Sequence, residues 1–367
     1  MQNDPKPIHY PDPVPVFYVK GSHREMGRQI GEAARPMIQH SIMNARQLVE
    51  VTRSTLHLSW DGAIIQARKY MPFAEERFPK FIEELHGIAE GANVSYDELS
   101  VVNAMEAVTS DALHLTKCTS MAVDDRRSEN GHVLVAHNED WLPDDEPDVY
   151  LVHATPNDEP AWLAMTYGGL LPNVGFNAAG IAQACDSVYP SDSRIGIPRV
   201  IASRAVLSAR TITEAIRYTL IPRRAAGYSH LLAHDSGELY NIEVSAHAFA
   251  VLYSEDGLIA HTNHYLDSKM QSLEKDPDEL ISTRVRYFRA YRRLQSRPFH
   301  SLASLQEILS DHVNYPDSIC NHSVLDIDPM DRESTICSLV MDLTDRSMYA
   351  CWGNPCANTY HRYQLTA

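Results

Sequence analysis

Cys118 is the residue whose type and position best suit covalent chemistry. It opens the strand-like part of "HLTKCTSMAVDDRRSENGHVLVAHNEDW" (114–141), which reads as two strands joined by a polar turn and closes on Asn138-Glu139-Asp140-Trp141. A cysteine attacks as thiolate, so it needs a base, usually a histidine, or a setting such as a helix N-terminus that lowers its pKa. The pattern around Cys118 offers no helix start. Another solution is a nucleophile activated by the α-amine of its own residue. Cutting the Lys117–Cys118 bond would free that amine, whose ordinary pKa of about 8 suits a general base near neutral pH. The thiol itself can make the cut, by attacking the Lys117 carbonyl to give a thioester that water hydrolyses. The products would be a helical fragment 1–117 and a strand-rich fragment 118–367.

Other reactive types are less well placed. His261 and His264 in "HTNH" lie three apart without a third ligand in a pattern that fixes metal geometry. Gly168-Gly169 in "MTYGGLLPNVGFN" lacks the order of a phosphate-binding loop and reads as a backbone turn near a substrate. All six cysteines lie at or after position 118 with no CxxC; Cys351 and Cys356 in "CWGNPC" could pair or bind metal, but no companion ligands stand beside them. No catalytic metal and no cofactor are expected.

The elements that must position Cys118 change character at that residue. "VFYVKG" (16–21) alternates as a strand after a Pro-rich extended tail over 1–15, and helices then dominate to about residue 113. The first helix opens on Ser22 with Glu25 at the capping-box spacing; "FAEERFPKFIEELHGIAEGANVS" repeats apolar residues at helical spacing and stops at Gly91; Ser95 caps another helix. After Cys118 come strands. Asn130-Gly131 turns the first pair, "VYLVHATP" and "AWLAMTY" form a hairpin, and "NVGFNAAGIAQACDSV" reads as two more strands. Helices in "PRVIASRAVLSA" and "TITEAIRYTL" precede another strand set through "LIAHTNH", two helices over about 281–312, and a closing pair "STICSLVMDL" and "SMYACWG". Blocks of helices segregated from antiparallel strands indicate α+β layers rather than a doubly wound sheet. With no internal repeat or linker, one domain spanning 1–367 is expected.

Composition narrows the partners. The 44% hydrophobic and 22% charged shares of the 367 residues are those of a globular protein. A net charge of −16 argues against nucleic acid, whose phosphates need clustered Lys and Arg, and suits a neutral or cationic small molecule. No apolar run reaches membrane-spanning length and the N-terminus lacks a signal-peptide pattern, so a cytoplasmic protein with no membrane partner is expected. The sequons at Asn93 and Asn321 carry little weight in that setting. A homo-oligomer is compatible with all of this.

Taken in order, "KCTSMAV...GHVLVAHNEDW", "GFNAAGIAQACDSVYP", "IPRVIASRAVLSARTITEAI", "IAHTNHY", "STRVRYFR" and "STICSLVMDL" resemble the isopenicillin N acyltransferase and β-alanyl-dopamine hydrolase family of cysteine N-terminal nucleophile hydrolases, with choloylglycine hydrolases as more distant kin. The resemblance runs from about residue 21 to 351. It implies a four-layer αββα sandwich, autoproteolysis before Cys118, and cleavage or transfer of an amide-linked acyl group. By the same resemblance Cys118 is the nucleophile, Asp140 holds or orients the α-amine, Asn263 in "HTNH" binds the oxyanion, and Arg284 in "STRVR" is the family's arginine, with Arg286 the alternative two residues on. Asn138, Tyr167 and Asp186 are expected at the substrate. Two departures stand out: Lys117 occupies a position where glycine is common, and Asp186 one where asparagine is common, which points to a cationic or hydrogen-bond-donating substrate. The expected activity is hydrolysis of a small N-acyl amine or amino-acid amide through a Cys118 thioester. The alternatives are acyl transfer to a second amine, and an unprocessed binding protein on the same fold.

Overall fold

The computed structural model describes residues 6–109, 117–324 and 332–366, so the first third of the tail, the end of the helical block and a stretch before the last long strand lie outside the described residues. Among the described residues, fourteen strands form two sheets. The first contains β1 (Val16–Gly21), β4 (Val149–Pro156), β5 (Trp162–Tyr167), β6 (Val174–Asn177), β7 (Ile181–Asp186), β8 (Tyr228–His234), β9 (Leu239–Val244) and β10 (Phe249–Tyr253), in that order across the sheet. The second runs β11 (Leu258–His261), β2 (Thr119–Val123), β3 (Leu134–Trp141), β12 (Ser334–Asp342), β13 (Ser347–Trp352) and β14 (His361–Gln364). All neighbours are antiparallel except β1 and β4. The two sheets pack face to face, with β2 and β3 against β7 and β8. Helices Ile281–Gln295 and Leu302–Leu309 cover the outer face of the second sheet, while His23–Ala33, Arg35–Val51, Arg199–Val206 and Ile212–Thr219 cover the first. This is the αββα order. Strands buried on both faces explain the apolar texture of β5 and of the runs Leu134–Ala136 in β3 and Leu339–Met341 in β12.

The local signals for these elements are physical ones. Ser22 accepts the Glu25 N–H while the Glu25 carboxylate accepts the Ser22 N–H at 2.8 Å, closing the capping box. The expected long helix through 73–91 is instead broken before Pro79, which cannot donate to the preceding turn; it restarts as Pro79–Ala92 and ends with Asn93 in the left-handed conformation. His23–Ala33 and Pro79–Ala92 then cross with their backbones almost touching. A Cβ added at Gly31 would lie 2.3 Å from the Ile88 carbonyl oxygen, and one at Gly87 would lie 2.2 Å from that of Arg24. The described part of the tail is not free: Tyr10 stacks on Trp352 at 4.3 Å and its N–H donates to Asn358.

Two features bind the segment before Cys118 to the rest. β1 is hydrogen-bonded into the first sheet beside β4, and the buried Glu84 carboxylate accepts Arg204 Nε at 3.1 Å and Nη2 at 2.9 Å. Apolar residues from both sides of Cys118 share one core. A cut at 117/118 would leave the two pieces sharing a sheet.

Candidate active site

β2 and β3 build the centre of the site. The register that pairs Thr119 with Asn138 sets Cys118, one residue before β2, level with Glu139. Strand alternation then sends Cys118, Ser120, His137 and Glu139 to one face and Thr119, Asn138 and Asp140 to the other. Cys118 is 2% exposed. Burial pushes its thiol well above the ordinary value, and the negative charges of Glu139, Asp186 and Asp140 push the same way, against one backbone hydrogen bond from Asp140.

His137 is the imidazole grouped with the thiol, its ligand-capable nitrogen lying within 4.8 Å of Cys118 Sγ together with a Glu139 oxygen. Both its nitrogens are committed, Nδ1 to Ser120 Oγ at 3.0 Å and Nε2 to Glu139 Oε2 at 3.0 Å. A Cys–His dyad is therefore not what the geometry offers. The contacts run on through the core: Ser120 Oγ donates to Asp186 Oδ1 at 2.9 Å, Asp186 Oδ2 lies 3.3 Å from His261 Nδ1, and His261 Nε2 lies 3.0 Å from Glu243. Burial alone would lower the His261 pKa, but hydrogen bonds and charge from Asp186 and Glu243 outweigh it and raise it to about 9, so the ring is a cation between two carboxylates.

Asp140 lies on the opposite face of β3. A bulge in β12 between Thr335 and Cys337 brings Thr335 across from it, and the Thr335 hydroxyl donates to Asp140 Oδ1 at 2.6 Å. The second carboxylate oxygen has no hydrogen-bond partner among the described residues. Burial raises the Asp140 pKa well above the carboxylate range, with Arg286 acting in the other direction.

The arginine at this site is Arg286. Its buried guanidinium donates through Nη1 to the Cys118 carbonyl at 2.5 Å and to Thr119 Oγ1 at 3.1 Å, and through Nη2 to Asn263 Oδ1 at 2.8 Å. Arg284 is on the solvent side of the same helix, paired with Glu274 at 2.8 Å and 45% exposed. The placement expected for Arg284 is thus corrected: residues two apart on a helix sit about 200° apart, so only one can reach the sheet. Arg286 also fixes the Asn263 amide. Guanidinium donates only, so Asn263 must turn its oxygen to it and its NH2 away, where Nδ2 now donates to the Ser187 carbonyl at 3.1 Å.

Two further expectations are corrected. Asp186 is fully buried with both oxygens engaged by Ser120 and His261, a structural acceptor rather than a substrate contact. Asn138 points into the other side of the sheet, where Nδ2 donates to the Leu309 and Ile319 carbonyls and Oδ1 accepts from Ser338. Strand alternation separates it from the thiol. Tyr167 does line a cavity, with Trp141, Asn173, Ser187, Tyr228 and Glu139. Glu139 thus joins the cavity to Cys118, and Tyr167 and Trp141 pack there at 5.8 Å. The signal for Glu139 and His137 was their spacing of two on β3, which places both beside the cysteine.

Lys117 is accommodated without glycine: its ammonium lies 3.1 Å from Asp317 and 3.4 Å from the buried Glu333. Burial raises the Glu333 pKa to about 7, with Lys117 and Arg286 opposing.

The second sheet of this αββα sandwich thus presents Cys118 at the head of its interior strand β2, backed by buried Asp140, Arg286 and Asn263 and next to a small cavity that Glu139 lines. The sequence model described as acyl-coenzyme A:6-aminopenicillanic acid acyl-transferase matches residues 126–357, and the chain belongs to that family, whose enzymes are hydrolases and acyltransferases. The chain is 24% identical to the acyl-coenzyme A:6-aminopenicillanic-acid-acyltransferase 40 kDa form of Emericella nidulans over 92% of each protein, an overlap long enough to span Cys118. It is 26% identical to the β-alanyl-dopamine/carcinine hydrolase of Drosophila melanogaster over 56% of each. Among solved structures, a mutant of conjugated bile acid hydrolase from Clostridium perfringens overlaps 68% of this chain and 97% of its own at 14% identity, with a TM-score of 0.45.

Proposed function

We propose that this protein is an autoprocessed cysteine amidohydrolase that cleaves a small N-acyl amine or amino-acid amide through a thioester on Cys118. Maturation begins when Sγ adds to the Lys117 carbonyl. The C–N bond breaks, its nitrogen takes a proton to become the Cys118 α-amine, and water hydrolyses the resulting thioester to the Lys117 carboxylate and a free thiol. In turnover the α-amine takes the thiol proton, Sγ attacks the substrate carbonyl, and the oxyanion forms against Asn263 Nδ2. Such a donor is worth about 3–4 kcal/mol to an acyl transfer. The α-ammonium returns its proton to the leaving amine, and water then resolves the acyl-Cys118.

The observation that carries this reading is Asp140 Oδ2, a buried carboxylate oxygen without a partner among the described residues, on the face of the strand pair opposite the thiol but close enough for its charge to act on Cys118. A buried charge needs a counter-charge or a proton, and the new ammonium at Cys118 supplies the former. The thiol fits the same scheme. Crowded by carboxylates and buried, it is held protonated in the uncut chain, where the carbonyl of the preceding residue is tethered to it, and it gains a base for turnover on other amides only when the α-amine appears on its own residue. The substrate's donor group is recognised by Glu139, the cavity carboxylate adjoining the thiol, because the other acidic cavity residue, Asp145, is spent on Trp141 and Asn44. The name of the Emericella relative favours acyl transfer as the second reading, in which another amine replaces water at the last step.

Intact mass of the purified protein tests the first step: two fragments meeting at 117/118 are expected, and Cys118→Ala should give one uncut, inactive chain. A panel of N-acyl amines and amino-acid amides, followed by mass spectrometry of trapped acyl-Cys118, tests the second. Only uncut wild-type chain with a thiol inert to iodoacetamide, or full turnover by Cys118→Ala, would sink the proposal.

A further inference from the structure

Outside the site just described, four metal-ligating side chains converge at the protein surface. His312, Cys320 and His322 come from the segment between helix Leu302–Leu309 and β12, and Cys356 from the turn after β13. Their ligand atoms all lie within 4.8 Å of one another: His312 Nε2 to His322 Nε2 is 3.0 Å, Cys320 Sγ to His322 Nε2 is 3.4 Å, and Cys356 Sγ to His322 Nε2 is 3.6 Å. Zinc bonds of about 2.0 Å to nitrogen and 2.3 Å to sulfur, set at tetrahedral angles, require edges of about 3.3 Å between nitrogens and about 3.6 Å between nitrogen and sulfur. The observed spacings match those edges to within a few tenths of an ångström.

We propose that these residues form a structural zinc site of Cys2His2 composition. Two thiolates and two imidazoles in a tetrahedron select zinc over the harder cations, and four protein ligands leave no open position for substrate or water. The shell beyond the ligands is also present: the Asn354 amide donates to Cys320 Sγ at 3.7 Å, the contact that steadies a metal-bound thiolate. Cys320 is buried, whereas His312 and Cys356 face solvent, so the ion has an entry path. "CWGNPC" therefore has companion ligands after all, thirty-odd residues upstream, and Cys351 is not among them.

The site would fix the loop that backs the catalytic centre. Asn321, between two ligands, donates its N–H to Thr335 Oγ1 at 3.0 Å and accepts the Thr335 N–H at 3.1 Å, and Thr335 holds Asp140. Asp317, in the same loop, pairs with Lys117. Zinc thereby ties down both the carboxylate near Cys118 and the residue before it, whatever reaction the cysteine performs.

The test uses full-length protein purified without chelator. Elemental analysis should find one zinc per chain, and cobalt added to metal-stripped protein should give the thiolate charge-transfer and intense visible bands of a tetrahedral site. The exposed ligands supply variants that keep the fold: His312→Ala and Cys356→Ser should each weaken zinc binding by at least the about 10–100-fold that losing an outer-shell partner costs. Chelator should lower the melting temperature of the wild type and leave that of the double variant unmoved. Absence of stoichiometric zinc together with no cobalt bands overturns the proposal. So does protein isolated under thiol-blocking conditions whose mass shows Cys320 and Cys356 joined as a disulfide.

Discussion

Replacing Arg286 by leucine while replacing Arg284 by alanine separates two residues that one helix turn holds on opposite sides. Arg286→Leu removes the donor to the Cys118 carbonyl and Thr119 Oγ1 and the donor that orients Asn263, and it leaves these acceptors buried. An unsatisfied buried acceptor costs about 1–3 kcal/mol, and removing one partner of a buried charged cluster about 3–5 kcal/mol, so a stability loss of about 3 kcal/mol is expected. The kinetic loss has a separate origin. With Asn263 free to rotate, much of the oxyanion stabilisation is lost, and kcat should fall about 100-fold. Arg286→Lys keeps the charge but cannot span the three acceptors that the guanidinium reaches, and should fall between. Arg284 makes a half-exposed pair with Glu274, worth about 0–1 kcal/mol, and Arg284→Ala should process and turn over like the wild type. Intact mass gives the processed fraction, hydrolysis of the best N-acyl amine gives kcat, and urea unfolding gives stability. Equal losses from Arg284→Ala and Arg286→Leu, or wild-type turnover in Arg286→Leu, would refute the assignment.

The remaining predictions address specificity, pH and packing. Glu139→Gln should raise KM for substrates bearing a cationic or donor group by about 10-fold, the loss of one charge-assisted hydrogen bond worth about 1.5 kcal/mol, and leave neutral apolar substrates nearly unaffected; a uniform change across the panel argues against its proposed role. The His261 pKa is raised in the fold from 6.5 to about 9, so its contribution to stability is complete below pH 6.5 and is lost as pH rises through about 9. The wild-type advantage over His261→Gln in unfolding free energy, read from urea titrations, should accordingly shrink at about 1.4 kcal/mol per pH unit across that window, and a flat difference would show that the ring is not held as a cation. Gly31→Val drives a side chain into the Ile88 backbone and should cost at least about 1–3 kcal/mol, read from thermal or urea unfolding; an unchanged midpoint would mean the two helices can separate at no cost.

How much of this molecule was legible in its sequence follows from what is local. The Ser22–Glu25 cap, the strand pair flanking Asn130-Gly131 and the switch from helices to strands at Cys118 depend on neighbours a few residues away, and they stand where the pattern puts them. The position of Cys118 ahead of β2, with Asp140 on the return strand, is likewise a matter of spacing along two paired segments. β1, short and remote, read as a strand but gave no sign that it joins β4 in parallel.

The residue types available for chemistry, and the order in which helices and strands present them, are properties of the chain alone, because propensity, capping and alternation act over one turn or one pleat. Which side of an element faces the site depends on how the layers pack. Arg286 rather than Arg284 reaches Cys118 because the helix turns about 200° between them. Asn138 lost the substrate side because the pleat points it at Leu309, and Asp186 is consumed by Ser120 and His261 across the two sheets. The His312, Cys320, His322 and Cys356 cluster was invisible for the same reason: two loops fold together to make its geometry, and no local spacing encodes that meeting.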